Sequence, residues 1–176
     1  MRKMSMEDLG RMSVADFKEA HKKPIILVMD QIRSMHNVGS VFRTADAFLI
    51  GGICLCGFTP QPPHRDIHKT ALGATESVDW VYYETTVEAV NSLKQKGFKV
   101  FAIEQTHGSV SLDQLDAFLP NKKETSLAFV FGNEVEGVSE EVLALCDGAI
   151  EIPQYGMKHS LNISVAAAIV LWEMVR

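Results

Sequence analysis

Short, nearly continuous apolar segments recur along the chain and alternate with segments of helical periodicity. Apolar runs of this length are typical of strands that are buried on both faces of a sheet. The predicted strands are 24–30, 53–58, 79–84, 99–105, 126–132 and 149–153. The predicted helices are 38–49, about 67–73, 86–96, 139–146 and 161–175. The alternation predicts an α/β domain with a mainly parallel sheet that is flanked by helices on both faces.

The two ends of the chain carry helical predictions of different kinds. Residues 5–22 have the pattern of a helix with a charged face, so we expect a helical extension over 1–23 ahead of a domain over 24–176. The last helix, 161–175, is apolar on nearly all sides, and such a helix is buried all round. The sheet covers only one face of it, so a second subunit is the natural cover for the rest.

Composition narrows the class of protein. A chain of 176 residues with 47% hydrophobic and 22% charged residues is long enough for one ordered domain with its own core. The three cysteines show neither a C-x-x-C pair nor a histidine at zinc spacing, so we expect buried, reduced thiols. The sequence shows no signal-peptide pattern and no apolar run of the roughly 20 residues that span a bilayer, which predicts a soluble, cytoplasmic protein.

The charge of the chain does not exclude a nucleic-acid partner. The net charge of −5 argues mildly against a polyanionic partner, because phosphate contacts need a surplus of lysine and arginine. The charge is unevenly distributed, however, since residues 1–43 hold eight lysines and arginines against five acids. A local basic face on an acidic protein is therefore expected.

The familiar nucleotide, hydrolase and zinc motifs are absent from the sequence. It has no P-loop, no G-x-G-x-x-G after the first strand, no G-x-S-x-G, no H-E-x-x-H and no deaminase zinc signature. In parallel sheets, ligands bind beyond the carboxyl ends of the strands. Three segments at predicted strand ends combine glycine with amide, carboxylate or hydroxyl side chains, and the candidate chemistry lies there.

The first of these segments reads N-V-G-S-V-F-R-T-A-D-A-F. Asn37 lies where the helix is expected to begin, and its side chain can accept a backbone N–H there. Arg43 follows in mostly apolar company. Two interpretations stay open: a salt bridge to an acid such as Asp46 or Glu134, or a guanidinium placed to hold a phosphate or a ribose.

The second segment reads F-V-F-G-N-E-V-E-G-V-S. Gly132, directly after a buried strand, suits a sharp turn or a close approach of the backbone to a ligand. Glu134 and Glu136 can add negative charge to the start of the next helix, and Ser139 can cap it. Taken alone, this segment is explained as an ordinary helix start.

The third segment, I-P-Q-Y-G-M-K-H-S-L-N-I-S, precedes the apolar last helix. Pro153 ends a strand, Gly156 permits the turn, and Ser160 or Asn162 can cap the helix. A cap needs only one of these side chains. The remaining polar side chains of the segment have no structural explanation, and they are Gln154, Lys158 and His159.

The three segments contain the patterns N-x-G-x-x-x-R-x-A, F-G-N-E-x-x-G-V-S and I-P-x-x-G-x-x-x-S-L-N-x-S-x-A. Together they resemble, in order and spacing, the three motifs of the SpoU (TrmH-like) RNA ribose 2′-O-methyltransferases. That family belongs to the SPOUT superfamily, and the resemblance covers about residues 24–175. It implies a SPOUT α/β fold with a C-terminal trefoil knot, S-adenosylmethionine bound inside the knot, and a homodimer in which the knots pack together.

The resemblance also implies roles for individual residues. The catalytic residues would be Arg43, Asn37, Glu134, Ser160 and Asn162. The cofactor contacts would be Ile103, Glu104, Gly132, Ile152, Ser160 and Leu161. The basic side chains expected to bind RNA are Arg33, Arg65, Lys69 and Lys158, with His64 and His68 beside them. The alternative for the cluster around Lys69 is a solvated helix start. No metal is expected, because a sulfonium already activates its methyl group.

The implied activity is methyl transfer from S-adenosylmethionine to a ribose 2′-OH of RNA. A tRNA is the preferred substrate, since no separate domain for binding ribosomal RNA is evident, and ribosomal RNA is second. We expect Arg43 to fix a phosphate and stabilise the developing alkoxide, because arginine stays protonated. Two alternatives remain: a non-catalytic RNA-binding factor, which would bind no cofactor, and a small-molecule or protein methyltransferase, which would label no RNA.

Overall fold

The computed structural model describes residues 1–5 and 8–176, and its described part contains one sheet in which all neighbouring strands are parallel. The strands are β1 (Lys23–Asp30), β2 (Ile50–Cys56), β3 (Trp80–Tyr83), β4 (Lys99–Ile103), β5 (Val110–Ser111), β6 (Leu127–Phe131) and β7 (Gly148–Glu151). Their order across the sheet is β3-β2-β1-β6-β4-β7-β5. The predicted α/β class and all six predicted strands are confirmed. Strand β5 was not predicted, because two residues leave no hydrophobic pattern.

Helices cover both faces of the sheet. They are α1 (Val14–Glu19), α2 (Met35–Ala47), α3 (Arg65–Ala71), α4 (Ala74–Ser77), α5 (Thr86–Gln95), α6 (Leu115–Phe118), α7 (Glu140–Leu145) and α8 (Ile163–Val175). The five helices predicted after the first strand are confirmed. Side chains alternate along the strands: Leu27 and Met29 pack toward α2, α3 and α8, whereas Val28 packs toward α5 and α7.

The prediction of one helix over 5–22 is wrong for most of its length. Only Val14–Glu19 is helical, and residues 6 and 7 of the prediction lie outside the described residues. Gly10 adopts a left-handed φ of 55°, which ends any regular run before it. Ser13 and Asp16 then form a capping box, so the helix starts at Val14.

The start of α2 also differs from its prediction. Ser34, and not Asn37, is the N-cap: the Ser34 hydroxyl accepts a hydrogen bond from the backbone N–H of Asn37 at 3.2 Å. Asn37 therefore lies inside the first turn, and its side chain is free for other contacts. Ser139 caps α7, as predicted, and of the two candidate caps for α8, Ser160 and Asn162, the structure has Asn162 in that role.

The expectation of buried thiols is confirmed for Cys54 and Cys56 and met only in part by Cys146. Cys54 and Cys56 are buried, Cys146 is partly buried, and all three are free. Burial raises the pKa of the Cys54 thiol to about 12 and that of the Cys146 thiol to about 11.

Among the described residues, no helix combines the length and apolar character needed to cross a membrane.

Candidate functional site

A cleft of about 660 Å³ opens at the carboxyl edge of β4, β6 and β7. Its size lies within the range of roughly 300–1,000 Å³ that is typical of pockets for small molecules and cofactors. Strands β6, β4 and β7 are parallel neighbours, so the loops that follow them meet at one edge. The cleft is lined by all six residues predicted to contact a cofactor, namely Ile103, Glu104, Gly132, Ile152, Ser160 and Leu161.

The loop after β6 folds back tightly on itself. A Cβ atom on Gly132 would lie only 2.0 Å from the carbonyl carbon of Gly137, so glycine is required where the two backbones touch. The buried side chain of Asn133 holds the turn, because its Oδ1 accepts the backbone N–H groups of Val135 and Glu136, each at 2.9 Å. The resulting tight turn forms one wall of the cleft.

Glu104 joins the loop after β4 to the loop after β6. Its Oε2 accepts the backbone N–H of Val138 at 3.1 Å, and its Oε1 accepts that of Gln105 at 3.0 Å. The carboxylate predicted to contact a cofactor is thus engaged by protein backbone and fixes the spacing of two cleft walls. Sequence patterns gave no sign of this role, because the bond to Val138 joins residues 34 positions apart.

A chain of amide hydrogen bonds connects the three motif segments at the rim of the cleft. The Nδ2 of Asn162 donates to the Oδ1 of Asn37 at 3.0 Å, and the Nδ2 of Asn37 donates to the Oε1 of Glu134 at 2.9 Å. Asn162 is itself oriented, because its Oδ1 accepts the backbone N–H of Ser164 at 2.9 Å. Each amide donates through its Nδ2 and accepts through its Oδ1, so the direction of the chain is fixed.

Arg43 does not join this group within a single chain. It is exposed on α2 and does not line the cleft. In the described part of the chain Arg43 forms no salt bridge. The two acids proposed as its partners have other contacts: Asp46 accepts a hydrogen bond from the hydroxyl of Ser77, and Glu134 accepts one from the side chain of Asn37. The salt-bridge interpretation of Arg43 is therefore wrong. With 3.6 residues per turn, Arg43 lies about 120° around the helix from Asn37.

The predicted RNA-binding side chains all lie on the surface outside the cleft. Lys158 is exposed in the loop before α8, and Arg65 and Lys69 are exposed on α3. Lys69 pairs with Asp66 at 2.8 Å and lowers the pKa of that carboxyl through its hydrogen bond. This pair agrees with the simpler interpretation of that region as a solvated helix start, at least for Lys69.

Arg33 has a neighbour that the sequence did not reveal. Its guanidinium carbon lies 5.8 Å from the ring centroid of Phe58, a residue 54% exposed at the carboxyl end of β2. The two residues come from different loops and share no periodic pattern. The only signal in the sequence is a lone phenylalanine in a loop that is otherwise polar or rich in proline.

The fold and cleft define an α/β protein with a parallel sheet whose ligand site is built from the loops after β4, β6 and β7. Residues 24–172 match the SpoU rRNA Methylase family. The chain belongs to this family.

Individual relatives agree with this assignment. The chain is 32% identical to a tRNA (guanosine(18)-2′-O)-methyltransferase of Thermus thermophilus over 94% of its own length and 81% of the relative's. The structure of the Aquifex aeolicus TrmH/SpoU tRNA modifying enzyme superposes with a TM-score of 0.77, at 27% identity over 92% of this chain and 80% of that one. An AdoMet-bound rRNA methyltransferase from Sinorhizobium meliloti superposes with a TM-score of 0.78, at 26% identity over 90% of this chain and 59% of that one.

Proposed function

We propose that this protein transfers a methyl group from S-adenosylmethionine to a ribose 2′-OH of RNA, with tRNA as the favoured substrate. The observation that carries the proposal is the hydrogen-bond chain Asn162–Asn37–Glu134, which joins the three family motifs at the rim of the cleft. The Thermus relative is named for a tRNA and matches over most of its length, which favours tRNA. Ribosomal RNA is the alternative, because the Sinorhizobium relative is named for rRNA.

The cleft has the chemistry that S-adenosylmethionine requires. Apolar side chains of Leu143, Ile152 and Ala166 offer a surface for the adenine ring. Within the described residues, no backbone N–H of residues 154–161 donates a hydrogen bond to another protein group, so these donors are available to a ligand. The lining also includes the exposed acid Glu136, which favours a cationic ligand. When bound, the cofactor supplies an electrophilic methyl group on a sulfonium.

The protein's own part in the reaction is positioning and charge stabilisation. Asn37, Glu134 and Asn162 hold the motif segments in one arrangement before the substrate arrives, which reduces the entropy cost of aligning the reacting groups. Arg43 is exposed and forms no salt bridge among the described residues, so its guanidinium is free to bind a substrate phosphate. Its permanent charge then stabilises the alkoxide that develops at the 2′ oxygen, while the proton leaves to the phosphate or solvent.

A homodimer is part of this proposal. The single chain leaves one side of α8 uncovered, together with Leu161 just ahead of its cap: Leu161 is 39%, Val165 47% and Trp172 60% exposed. Val165 and Trp172 are seven positions apart, which places them along one stripe of the helix. The expectation that this helix is buried all round is therefore not met by one chain, and a second copy packed on the stripe would meet it.

A trefoil knot is the second structural element of the proposal. The helices before and after β7 lie on opposite faces of the sheet, since α7 packs against α5 and α8 against α2. The connection from β4 to β6 covers the same side as α8, because Leu115 belongs to the core layer of α8. Lys122 of that connection also bonds to Glu173 of α8. These contacts support threading of α8 through the β4–β6 connection.

The direct test replaces the proposed phosphate-binding residue. We expect Arg43→Ala to reduce transfer of tritiated methyl groups from S-adenosylmethionine to unfractionated tRNA to background. Cofactor affinity measured by calorimetry should stay close to that of the wild type, because Arg43 lies outside the cleft. Lys96→Ala, an exposed cation at the far end of α5, is the matched control and should retain activity.

Each contrary result has a distinct meaning. Near wild-type turnover of Arg43→Ala would remove Arg43 from the reaction. A wild-type protein that binds no cofactor in calorimetry would point instead to a non-catalytic RNA-binding factor.

A further inference from the structure

Phe58 lies in a position that neither the fold nor the cleft explains. Its ring is 54% exposed, although burying a phenylalanine side chain is usually favourable. Arg33 stacks near it, with its guanidinium carbon 5.8 Å from the ring centroid, which is within the range of a cation–π contact. Neither residue lines the cleft.

Buried hydrogen bonds hold the two loops that carry this pair. The hydroxyl of Thr59, a residue 2% exposed, accepts the backbone N–H of Ile32 at 3.0 Å and lies within hydrogen-bond distance of the Cys56 carbonyl at 2.7 Å. The backbone N–H of Gln31 also donates to the Cys56 carbonyl. Phe58 and Arg33 are each adjacent to a residue in this network. The ring and the guanidinium therefore sit on a preformed support.

The pair extends the candidate site along the same edge of the sheet. Arg33 precedes Ser34, the cap of α2, which is the helix that carries Asn37 and Arg43. Phe58 follows β2, which lies beside β1 on the side away from the cleft. Because neighbouring strands are about 4.8 Å apart, β2 lies roughly 10 Å from β6, the first strand of the cleft. This separation suits contact with a nucleotide next to the one that is modified.

We infer that Phe58 and Arg33 form a stacking site for an unpaired RNA base that flanks the methylated nucleotide. Exposed aromatic rings and arginine planes are the groups on which proteins stack single-stranded bases. Along the two loops the exposed neighbours Gln31 and Arg33 are polar, which favours a nucleobase over an apolar protein surface as the partner of the ring. The inference rests on the proposed function, because it requires an RNA substrate.

The test separates stacking from electrostatic attraction. Binding of unfractionated tRNA, and of a single-stranded RNA oligonucleotide containing 2-aminopurine, is measured over a range of salt concentrations. We expect Phe58→Ala to weaken tRNA binding about five- to fifty-fold at every salt concentration, with the salt slope unchanged. Arg33→Ala should reduce the slope. The 2-aminopurine fluorescence, quenched by stacking in the wild type, should remain unquenched with Phe58→Ala.

Conservative variants distinguish a stacked ring from an ordinary apolar contact. Phe58→Trp should restore both affinity and quenching, whereas Phe58→Leu should behave like Phe58→Ala. Cofactor affinity, measured by calorimetry, should be the same in the wild type and in all four variants, Arg33→Ala included, which shows that each is folded. Wild-type affinity for tRNA in Phe58→Ala, or in Phe58→Leu, would overturn the inference. A wild-type protein that binds cofactor but no RNA would overturn the proposed function as well.

Discussion

Asn37→Asp tests the hydrogen-bond chain that joins the three motifs. The substitution keeps the shape of the side chain but replaces its Nδ2 donor, 2.9 Å from the Oε1 of Glu134, by an acceptor oxygen. A hydrogen bond to a charged group contributes about 1.5–3 kcal/mol, and the lower end applies because Glu134 is exposed. Two carboxylates at this separation add a repulsion of about 1 kcal/mol in water.

The sum, about 2–3 kcal/mol, corresponds to a kcat/KM for methyl transfer roughly 30- to 150-fold lower than that of the wild type. The assay is steady-state transfer of tritiated methyl groups to unfractionated tRNA. Thermal stability should change little, because these exposed side chains can separate into solvent in the free protein, so the cost of restoring their arrangement falls on methyl transfer.

The matched control reverses the polarity of the pair. In the double variant Asn37→Asp, Glu134→Gln, the new amide can donate to the new carboxylate, so much of the lost activity should return. Glu134→Gln alone keeps an acceptor for Asn37 and should cost only a few-fold. An Asn37→Asp protein with near wild-type kcat/KM, or a double variant no better than Asn37→Asp, would refute the role of this contact.

Three further predictions concern stability. Lys122→Met removes a buried ammonium that bonds to the carboxylate and the carbonyl of Glu173. Because Arg176 still pairs with Glu173, we expect the free energy of unfolding to fall by about 2–3 kcal/mol, or Tm by roughly 5–10 °C, whereas Lys123→Met should be neutral. Gly39→Ala should cost about 1–3 kcal/mol in denaturant unfolding, because its Cβ would lie 2.1 Å from the Thr70 hydroxyl, whereas Gly156→Ala meets nothing and should be neutral. The hydrogen bond from Arg176 lowers the pKa of Glu173, so this carboxylate stabilises the fold at pH values above its ordinary pKa of 4.5, and the stabilisation is lost as the pH falls through the lowered pKa. Glu173→Gln should therefore be less stable than the wild type at pH 7 and should lose less stability on acidification, which a plot of Tm against pH will show. Each argument has its own contrary result. The first two would be contradicted by equal Tm values within the pair Lys122→Met and Lys123→Met, or within the pair Gly39→Ala and Gly156→Ala. The third would be contradicted if Tm depended on pH in the same way in Glu173→Gln and the wild type.

Strands were predictable because their burial leaves a direct mark on the sequence. The runs around Leu27 and Phe129 lie at the centre of the sheet and are apolar on both faces, so they read as strands without any other information. The convergence of the three motif segments was also predictable in outline, since parallel strands place their carboxyl ends at one edge. The expected helix over 5–22 failed because the left-handed turn at Gly10 and the cap at Ser13 outweigh the weak periodicity there.

Contacts between distant segments were not predictable, because no periodic pattern encodes them. The resemblance to the SpoU family implied that Glu104 contacts a cofactor but gave no sign that its carboxylate bonds to the backbone of Val138. The sequence placed Asn37 as a cap, whereas Ser34 takes that role and leaves the Asn37 amide to connect two other motifs. The pairing of Arg33 with Phe58 likewise depends on how two loops meet, and only the structure reveals it.

The measurement that tests the proposed function most directly is a map of 2′-O-methylated riboses in total RNA. RNA from cells that lack the protein would be compared with the same RNA after incubation with the purified protein and S-adenosylmethionine. We expect a discrete ribose position, most prominently in tRNA, to be unmethylated in the first sample, methylated in the second, and unmethylated again when Arg43→Ala replaces the wild type. Identical maps in all samples, obtained with a protein that binds the cofactor, would contradict the proposal.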